Sequence, residues 1–175
     1  DGKTIAVDTP GDIYTVPAKK GTWRNLTDSP GVREKTPAWS PDGQWVAYWS
    51  DRTGDYQLCV RAQDGSGNER QLTTLPAGFQ FDIVWSPDSK KLAYSDQTGT
   101  LYYVNLSDGK PVKVEKNAWG DLREYRWSPD SQWLAYTTTG SNGYGIINLY
   151  GLKSGRSSVV TGGLTNDSDP AFDAD

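Results

Sequence analysis

The sequence of 175 residues contains no histidine, no methionine and a single cysteine, Cys59. Without histidine this stretch of chain can form no Ser-His-Asp triad, no Cys-His dyad and no imidazole metal site. One thiol makes neither an internal disulfide nor a Cys-x-x-Cys motif for zinc or redox chemistry. These absences exclude the common catalytic and metal motifs that depend on imidazole or on paired thiols, and we expect no metal and no cofactor.

Charge and hydropathy exclude two further classes of partner. Lysine and arginine total 18 against 22 aspartates and glutamates, a net charge of −4, which argues against a general nucleic-acid binder. No apolar run approaches the roughly 18 to 20 residues that a membrane helix needs. The missing methionine leads us to expect a segment of a longer or processed protein, and a lone cysteine leaves its compartment open between cytoplasm and periplasm or exterior.

A sequence repeat is the main feature that is present. Trp-Ser-Pro-Asp-[Gly/Ser]-x-x-[Val/Leu]-Ala-Tyr begins at three positions, and a weaker fourth copy begins at the C-terminal end. These positions are Trp39, Trp85, Trp127 and Phe172, spaced 46, 42 and 45 residues apart. A period in the low to mid forties with several short strands is typical of one blade of a β-propeller.

The residues inside one repeat predict four antiparallel strands. Proline has a backbone angle suited to a turn, and the aspartate after it can bind the next backbone amides. We therefore interpret these pairs as structural turns: Pro41 and Asp42, Pro87 and Asp88, Pro129 and Asp130. After the turn, residues 45–49 are apolar on both faces, as expected for a sheet packed between two neighbouring sheets.

The strand count predicts an all-β fold of four four-stranded blades in one propeller domain or propeller fragment. The blades are residues 1–27 with 166–175, residues 28–73, residues 74–116 and residues 117–165. The first blade lacks its inner strand and the C-terminus supplies a spare one, Asp169 to Asp173, which we expect to pair with Ile5 to Val7. The alternatives are a half-ring that dimerises by strand exchange into eight blades, and four blades cut from a larger ring.

The repeat resembles that of TolB-type propellers. Three N-terminal stretches, at residues 11–18, 24–27 and 31–34, resemble the propeller region of tricorn-type proteases. The resemblance implies a prokaryotic, non-catalytic module that binds or guides peptides or proteins, within a parent that is a tricorn-type serine protease. Two other functions stay open: a structural fragment with no function of its own, and an enzyme that uses paired carboxylates.

A propeller binds ligands at its channel mouth, through the segments that precede the inner strands. The charged and aromatic residues there predict a site for a peptide end or another carboxylate, since arginine presents a planar fork of donors. The candidate residues are Arg33, Glu34, Asp82, Arg123, Arg126, Asp167 and Trp119. The alternative is a lining of mutually compensating salt bridges. Cys59 is predicted to be a buried apolar residue.

Overall fold

The computed structural model describes residues 3–173, so Asp1, Gly2, Ala174 and Asp175 of the predicted first blade lie outside it. The described chain consists of fifteen β-strands with turns and loops, and it contains no helix. Residues 3–173 therefore offer no helix long and apolar enough to cross a membrane. The chain divides into two compact units at Gly78 and Phe79, and each unit holds two sheets.

The first unit contains the sheets of the first two repeats. Its first sheet has the order β1-β2-β3, with β1 (Thr4–Thr9), β2 (Asp12–Pro17) and β3 (Arg24–Asn25). Its second sheet has the order β4-β5-β6-β7, with β4 (Glu34–Trp39), β5 (Trp45–Ser50), β6 (Gln57–Ala62) and β7 (Arg70–Gln71). All pairings are antiparallel and join consecutive strands.

The second unit repeats this arrangement with two four-stranded antiparallel sheets. One contains β8 (Val84–Trp85), β9 (Lys91–Ser95), β10 (Thr100–Asn105) and β11 (Pro111–Lys116). The other contains β12 (Tyr125–Trp127), β13 (Trp133–Thr139), β14 (Gly145–Gly151) and β15 (Arg156–Val159). The prediction of an all-β chain with four antiparallel sheets, one for each repeat, is confirmed.

The core of the first unit lies between its two sheets. Val46 and Tyr48 of β5 pack with Cys59 of β6 against Ile13 and Leu26 of the first sheet, and all five are at most 1% exposed. The opposite face of β5 is also closed to water, since Ala47 and Trp49 are fully buried. Both faces of this strand are therefore apolar and buried, which explains its unbroken apolar sequence.

The core of the second unit also contains hydrogen bonds between its two sheets. Trp127 of β12 donates its indole Nε1–H to the backbone carbonyl of Val84 at 3.1 Å. Tyr125, two residues earlier, donates its hydroxyl to the carbonyl of Asp82 at 2.5 Å. Both bonds span 43 residues, one repeat of the sequence. The inner strands are thus joined through large aromatic side chains with polar tips, which satisfy these donors within the core.

The Ser-Pro-Asp turns have the same geometry in all three repeats. In the third, Ser128 Oγ donates to Asp130 Oδ1 at 2.5 Å and accepts from the backbone N–H of Trp133 at 2.9 Å. Asp130 Oδ1 also accepts from the N–H of Gln132 at 3.0 Å. The fourth turn residue has a positive φ: 72° at Gly43, 57° at Ser89 and 59° at Ser131. These aspartates therefore close turns through hydrogen bonds.

The structure corrects one part of the predicted strand count. Residues 169–173 were expected to form an inner strand, but they belong to no sheet, and the sheet of β1 has three strands. A positive φ followed by proline, at Asp169 and Pro170, also occurs inside β4 at Thr36 and Pro37, where it shifts the register without ending the strand. A segment is a β-strand only when it pairs with a neighbouring strand. Residues 169–173 pair with none among the described residues, so their pairing with β1 stays a prediction.

The turn geometry generates a stability prediction. Replacing Ser128 with alanine removes an acceptor for the Trp133 N–H and a donor to Asp130. We expect the free energy of unfolding to fall by about 1–2 kcal/mol in urea titrations. Ser107→Ala is the matched control, because Ser107 is exposed and makes no side-chain hydrogen bond among the described residues; its effect should stay within about 0.5 kcal/mol. Equal midpoints for the two variants would contradict this role of the turn.

Candidate functional site

The first unit has a surface pocket that includes the segment Arg33-Glu34-Lys35, which the sequence predicted to lie at the channel mouth. The pocket has a volume of about 580 Å³. Two short segments line it. One is the end of β1 with the turn that follows, at Asp8, Thr9, Pro10 and Gly11, and the other is the start of β4 with the residue before it, at Arg33, Glu34 and Lys35. The pocket therefore brings together two predicted residues, Arg33 and Glu34, with two charged residues that were not predicted, Asp8 and Lys35.

Backbone hydrogen bonds hold the two segments together. The N–H of Glu34 donates to the carbonyl of Gly11 at 2.9 Å. The N–H of Thr36 donates to Asp8 Oδ2 at 3.2 Å, and the N–H of Arg33 donates to Asp51 Oδ1 at 2.7 Å. These three hydrogen bonds fix the main chain at Arg33 and Lys35. The side chain of Arg33 is exposed.

The two cations of this pocket differ in their surroundings. Within residues 3–173, Arg33 has no ion pair and its side chain makes no hydrogen bond that offsets its charge. Lys35 is half-buried, and its Nζ lies 3.9 Å from the ring centre of Tyr56. Burial lowers the pKa of Lys35, and the positive charge of Arg33 lowers it further. The positive charges of Arg33 and Lys35 repel each other, and an anion bound between them would offset that repulsion.

Glu34 faces the interior and is not an exposed ligand. It is 1% exposed, and its Oε1 accepts from Ser29 Oγ at 2.9 Å and Ser50 Oγ at 3.4 Å. Its Oε2 is buried without a hydrogen-bond partner among the described residues. Burial raises the pKa of the Glu34 carboxyl, although the Ser29 hydrogen bond acts in the opposite direction. Glu34 was predicted to bind ligand at the channel mouth, whereas in the structure it is a buried polar group between two sheets.

A second polar chain adjoins Glu34. Arg52 donates from its guanidinium NH2 group to Ser29 Oγ at 3.0 Å, and its Nε lies 3.0 Å from Glu69 Oε1. Tyr48, otherwise buried in the core, donates its hydroxyl to Glu69 Oε2 at 2.6 Å. This chain of contacts connects the surface to the core of the first unit. Its residues come from four different segments, and no local motif marks them.

In the second unit, the predicted Arg123 is already neutralised. Its Nε and NH2 groups donate to Asp121 Oδ2 at 3.1 and 2.9 Å, and its guanidinium lies 4.0 Å from the ring centre of Phe81. A pocket of about 410 Å³ adjoins it, and Glu124 there accepts from the N–H of Asp169 at 3.0 Å. Arg123 therefore fits the alternative interpretation of the sequence, in which these charged residues form salt bridges with one another.

The other predicted residues of the second unit are dispersed. Arg126 is exposed and donates to the carbonyl of its neighbour Tyr125 at 3.0 Å. Asp82 is exposed, and Asp167 accepts from Thr165 Oγ1 at 2.9 and 3.0 Å. Trp119 is 64% exposed in its loop. None of these contacts assembles a further binding group, so the pocket at Arg33 has the chemistry that best fits a ligand.

Two further kinds of site, a metal site and a reactive thiol, can be compared with the structure. Residues 3–173 contain no group of three acidic, cysteine or histidine side chains that could hold a metal ion. Cys59 is 1% exposed, and burial raises the pKa of its thiol well above the usual range. A thiol with a raised pKa is a poor nucleophile, so Cys59 acts as a small apolar core residue.

The sheets match those of solved propellers. The crystal structure of the tricorn protease superposes with a TM-score of 0.86 at 20% identity, covering 99% of this chain and 17% of that one. A TolB structure from Agrobacterium tumefaciens gives 0.70 at 19% identity, covering 97% and 61%. The fold is therefore that of a β-propeller, as predicted. The family of the tricorn protease second β-propeller domain matches residues 1–175, and the chain belongs to that family.

Sequence relatives are much longer than this chain. An uncharacterized peptidase of Bacillus subtilis, YuxL, is 32% identical over 148 residues, which are 82% of this chain and 20% of the peptidase. Tricorn protease homolog 1 of Streptomyces coelicolor is 28% identical over 144 residues, which are 79% of this chain and 13% of the homolog. The chain thus spans about a fifth or less of these relatives, and the resemblance inferred from its repeats is confirmed.

The burial of Glu34 generates a pH prediction. Its native carboxyl has a pKa above the ordinary value of 4.5, so the native state binds more protons than the unfolded state in the pH window directly above 4.5. Stability should therefore fall as the pH rises through that window. We expect Glu34→Gln to remove this part of the fall and to raise stability at pH 7 by about 1 kcal/mol, because it removes a buried charge with an unpaired oxygen.

Urea titrations between pH 4 and 8 measure this effect. Asp55→Asn is the matched control, since it makes the same carboxylate-to-amide change at an exposed position in a turn. A Glu34→Gln profile that overlays that of the parent chain would show that Glu34 does not titrate abnormally.

Proposed function

We propose that this chain is a non-catalytic propeller module that binds peptides through a carboxylate group in the pocket at Arg33. The observation that supports it is an exposed arginine with no ion pair among the described residues, beside a second cation, in a pocket of about 580 Å³. The names of its relatives, a peptidase and tricorn protease homologs, make peptides the natural class of ligand. The parent protein in this proposal is a tricorn-type serine protease whose catalytic groups lie outside residues 1–175.

The chemistry of recognition follows from the two cations. The guanidinium of Arg33 presents parallel N–H donors that fit the two oxygens of a carboxylate. Lys35 supplies a second positive charge from the same strand end, and Tyr56 contacts its ammonium group. A bound carboxylate offsets the repulsion between these two cations, so the ligand favours the charged form of Lys35. Affinity should therefore decline at alkaline pH as the lysine loses its proton.

The alternative is a purely structural propeller segment. Arg123 favours it locally, because its guanidinium is occupied by Asp121 and stacked on Phe81. Arg52 is likewise paired with Glu69. These ion pairs stabilise loops without a ligand, and exposed pairs of this kind contribute little energy. The two proposals differ in one respect that can be tested: only the binding module needs Arg33.

Isothermal titration with two probes tests the proposal. The probes are a tetra-alanine peptide with a free carboxyl terminus and the same peptide with an amidated terminus. A charge-assisted hydrogen bond contributes about 1.5–3 kcal/mol, so Arg33→Ala should weaken binding of the free peptide about tenfold or more. Amidation should have a similar effect on the parent chain. Arg123→Ala is the matched control and should change affinity less than twofold.

Two outcomes contradict the proposal. If the free peptide shows no saturable binding, the structural alternative is favoured. If Arg33→Ala and Arg123→Ala weaken binding equally, the ligand does not depend on the pocket at Arg33. Circular dichroism of each variant verifies that the sheets are retained.

A further inference from the structure

A second pocket lies beside Glu124 in the second unit, with a volume of about 410 Å³. Three segments line this pocket at Glu124. They are the residues before β12, with Glu124 itself, the hairpin of β13 and β14, with Thr137 and Gly145, and the loop after β15, with Asn166 and Ser168. The lining side chains are all polar, so the pocket suits a polar or charged ligand.

Corresponding backbone hydrogen bonds build this pocket and the pocket at Arg33. The N–H of Asp167 donates to the carbonyl of Gly145 at 3.1 Å. In the first unit, the N–H of Glu34 donates to the carbonyl of Gly11 at 2.9 Å. Asp167 and Glu34 occupy the same position of the repeat, five residues before its first aromatic residue. The two pockets are therefore the same structural position in two different repeats.

The side chains at this position differ in charge between the two pockets. Arg33 and Lys35 line the first pocket, six and four residues before the aromatic residue of the repeat. Asn166 and Ser168 hold the same two positions in the pocket at Glu124. A neutral amide and a neutral hydroxyl thus replace the two cations, and the ligand that suits one pocket is not suited to the other.

Glu124 supplies a negative charge that no cation offsets. Its Oε2 accepts from the N–H of Asp169 at 3.0 Å, whereas its Oε1 makes no hydrogen bond among residues 3–173. Arg123 is the cation of the lining, and it donates to Asp121 Oδ2 at 3.1 and 2.9 Å. Since that pair is neutral as a whole, the charge of Glu124 remains, and one of its carboxylate oxygens is free.

The hydroxyl of Thr137 adds a further polar atom without a partner. Its Oγ1 is buried and makes no hydrogen bond among the described residues. The N–H of the same residue donates to the carbonyl of Glu124 at 3.1 Å, so the two residues are neighbours in the wall. Most buried polar atoms of folded proteins are paired, and this oxygen is therefore an unused acceptor beside the carboxylate.

We propose that the pocket at Glu124 binds a primary ammonium group, with Glu124 Oε1 as the main acceptor. An ammonium group is a compact charge with three N–H donors, which suits one free carboxylate oxygen among hydroxyls. A guanidinium group pairs best with both oxygens of a carboxylate, and the N–H of Asp169 already occupies Oε2. This inference goes beyond the carboxylate binding proposed for the pocket at Arg33 and does not depend on it.

Titration of the full chain with three tetrapeptides, followed by NMR, tests this site. All three are amidated at the carboxyl terminus, so none offers a terminal carboxylate to the pocket at Arg33. The first is tetra-alanine with a free amino terminus, the second is the same peptide acetylated, and the third is acetylated and carries one lysine. The backbone amides of Gly145 and Asp169 should shift saturably with the first or the third peptide and not with the second. The peptide that binds identifies the source of the ammonium group, a chain terminus or a lysine side chain.

A carboxylate variant tests the assigned acceptor. Glu124→Gln keeps an oxygen for the N–H of Asp169 and removes the charge, so affinity should fall about tenfold or more, the scale of one charge-assisted hydrogen bond. Asp82→Asn is the matched control, because it makes the same change at an exposed side chain in the same position of the preceding repeat. It should change affinity less than about twofold, as expected for a distant surface charge in salt.

A second variant leaves Glu124 intact in case its substitution disturbs the fold. Ser168→Lys places an ammonium group of the chain itself at the exposed position that Lys35 holds in the first pocket. It should compete with the peptide and abolish saturable binding, while circular dichroism stays unchanged.

Three outcomes overturn the proposal. They are no saturable shift with either ammonium peptide, equal binding of the acetylated alanine peptide, and equal affinities of Glu124→Gln and Asp82→Asn. Arg33→Ala should leave the affinity for the ammonium peptides unchanged. This variant therefore separates a failure of the pocket at Glu124 from a failure of the carboxylate binding proposed for the pocket at Arg33.

Discussion

A single sheet of this chain cannot bury both of its apolar faces by itself, and the rest of the structure depends on that constraint. In β5, Val46 and Tyr48 point to one side and Ala47 and Trp49 to the other, and all four are fully buried. Each sheet therefore needs a neighbour on each side, as in repeat proteins whose stability resides largely in the interfaces between repeats. Features that hold neighbouring sheets in register are thus essential to the fold.

Polar atoms supply much of that register. The indole of Trp127 and the hydroxyl of Tyr125 reach the backbone of the preceding inner strand, one repeat away. In the first unit, Glu34 lies between two sheets and accepts hydrogen bonds from Ser29 in one connection and Ser50 in β5. Apolar contact alone would allow one sheet to slide on another, whereas directed hydrogen bonds permit a single alignment.

The sequence predicted the parts of the fold that depend on local chemistry. The Ser-Pro-Asp turns could be identified because the hydroxyl, the carboxylate and the amides they bind lie within five residues of one another. The apolar stretch of β5 predicted burial on both faces. Whether residues 169–173 form an inner strand could not be predicted from local chemistry. A strand exists only when it pairs with a partner, and the local sequence specifies the backbone conformation of the segment but not that partner.

The candidate site was predicted less completely than the fold. Arg33 was identified by its place in the repeat, but Asp8, which lines the same pocket, lies in β1, 25 residues earlier, and only the folded chain brings the two together. Arg123 looked equivalent to Arg33 in sequence. Its neutralisation by Asp121 is a local pairing that the sequence could have suggested, whereas the stacking on Phe81 spans 42 residues and could not have been read from it.

The Ser-Pro-Asp turn also determines where this protein can change in length during evolution. From the tryptophan to the first residue of the next strand the distance is six residues in all three repeats, at Trp45, Lys91 and Trp133. The following hairpins differ in length, so the 46- and 42-residue spacings arise farther out along each sheet. Insertions and deletions are therefore expected in the outer connections, while the innermost turn keeps its length.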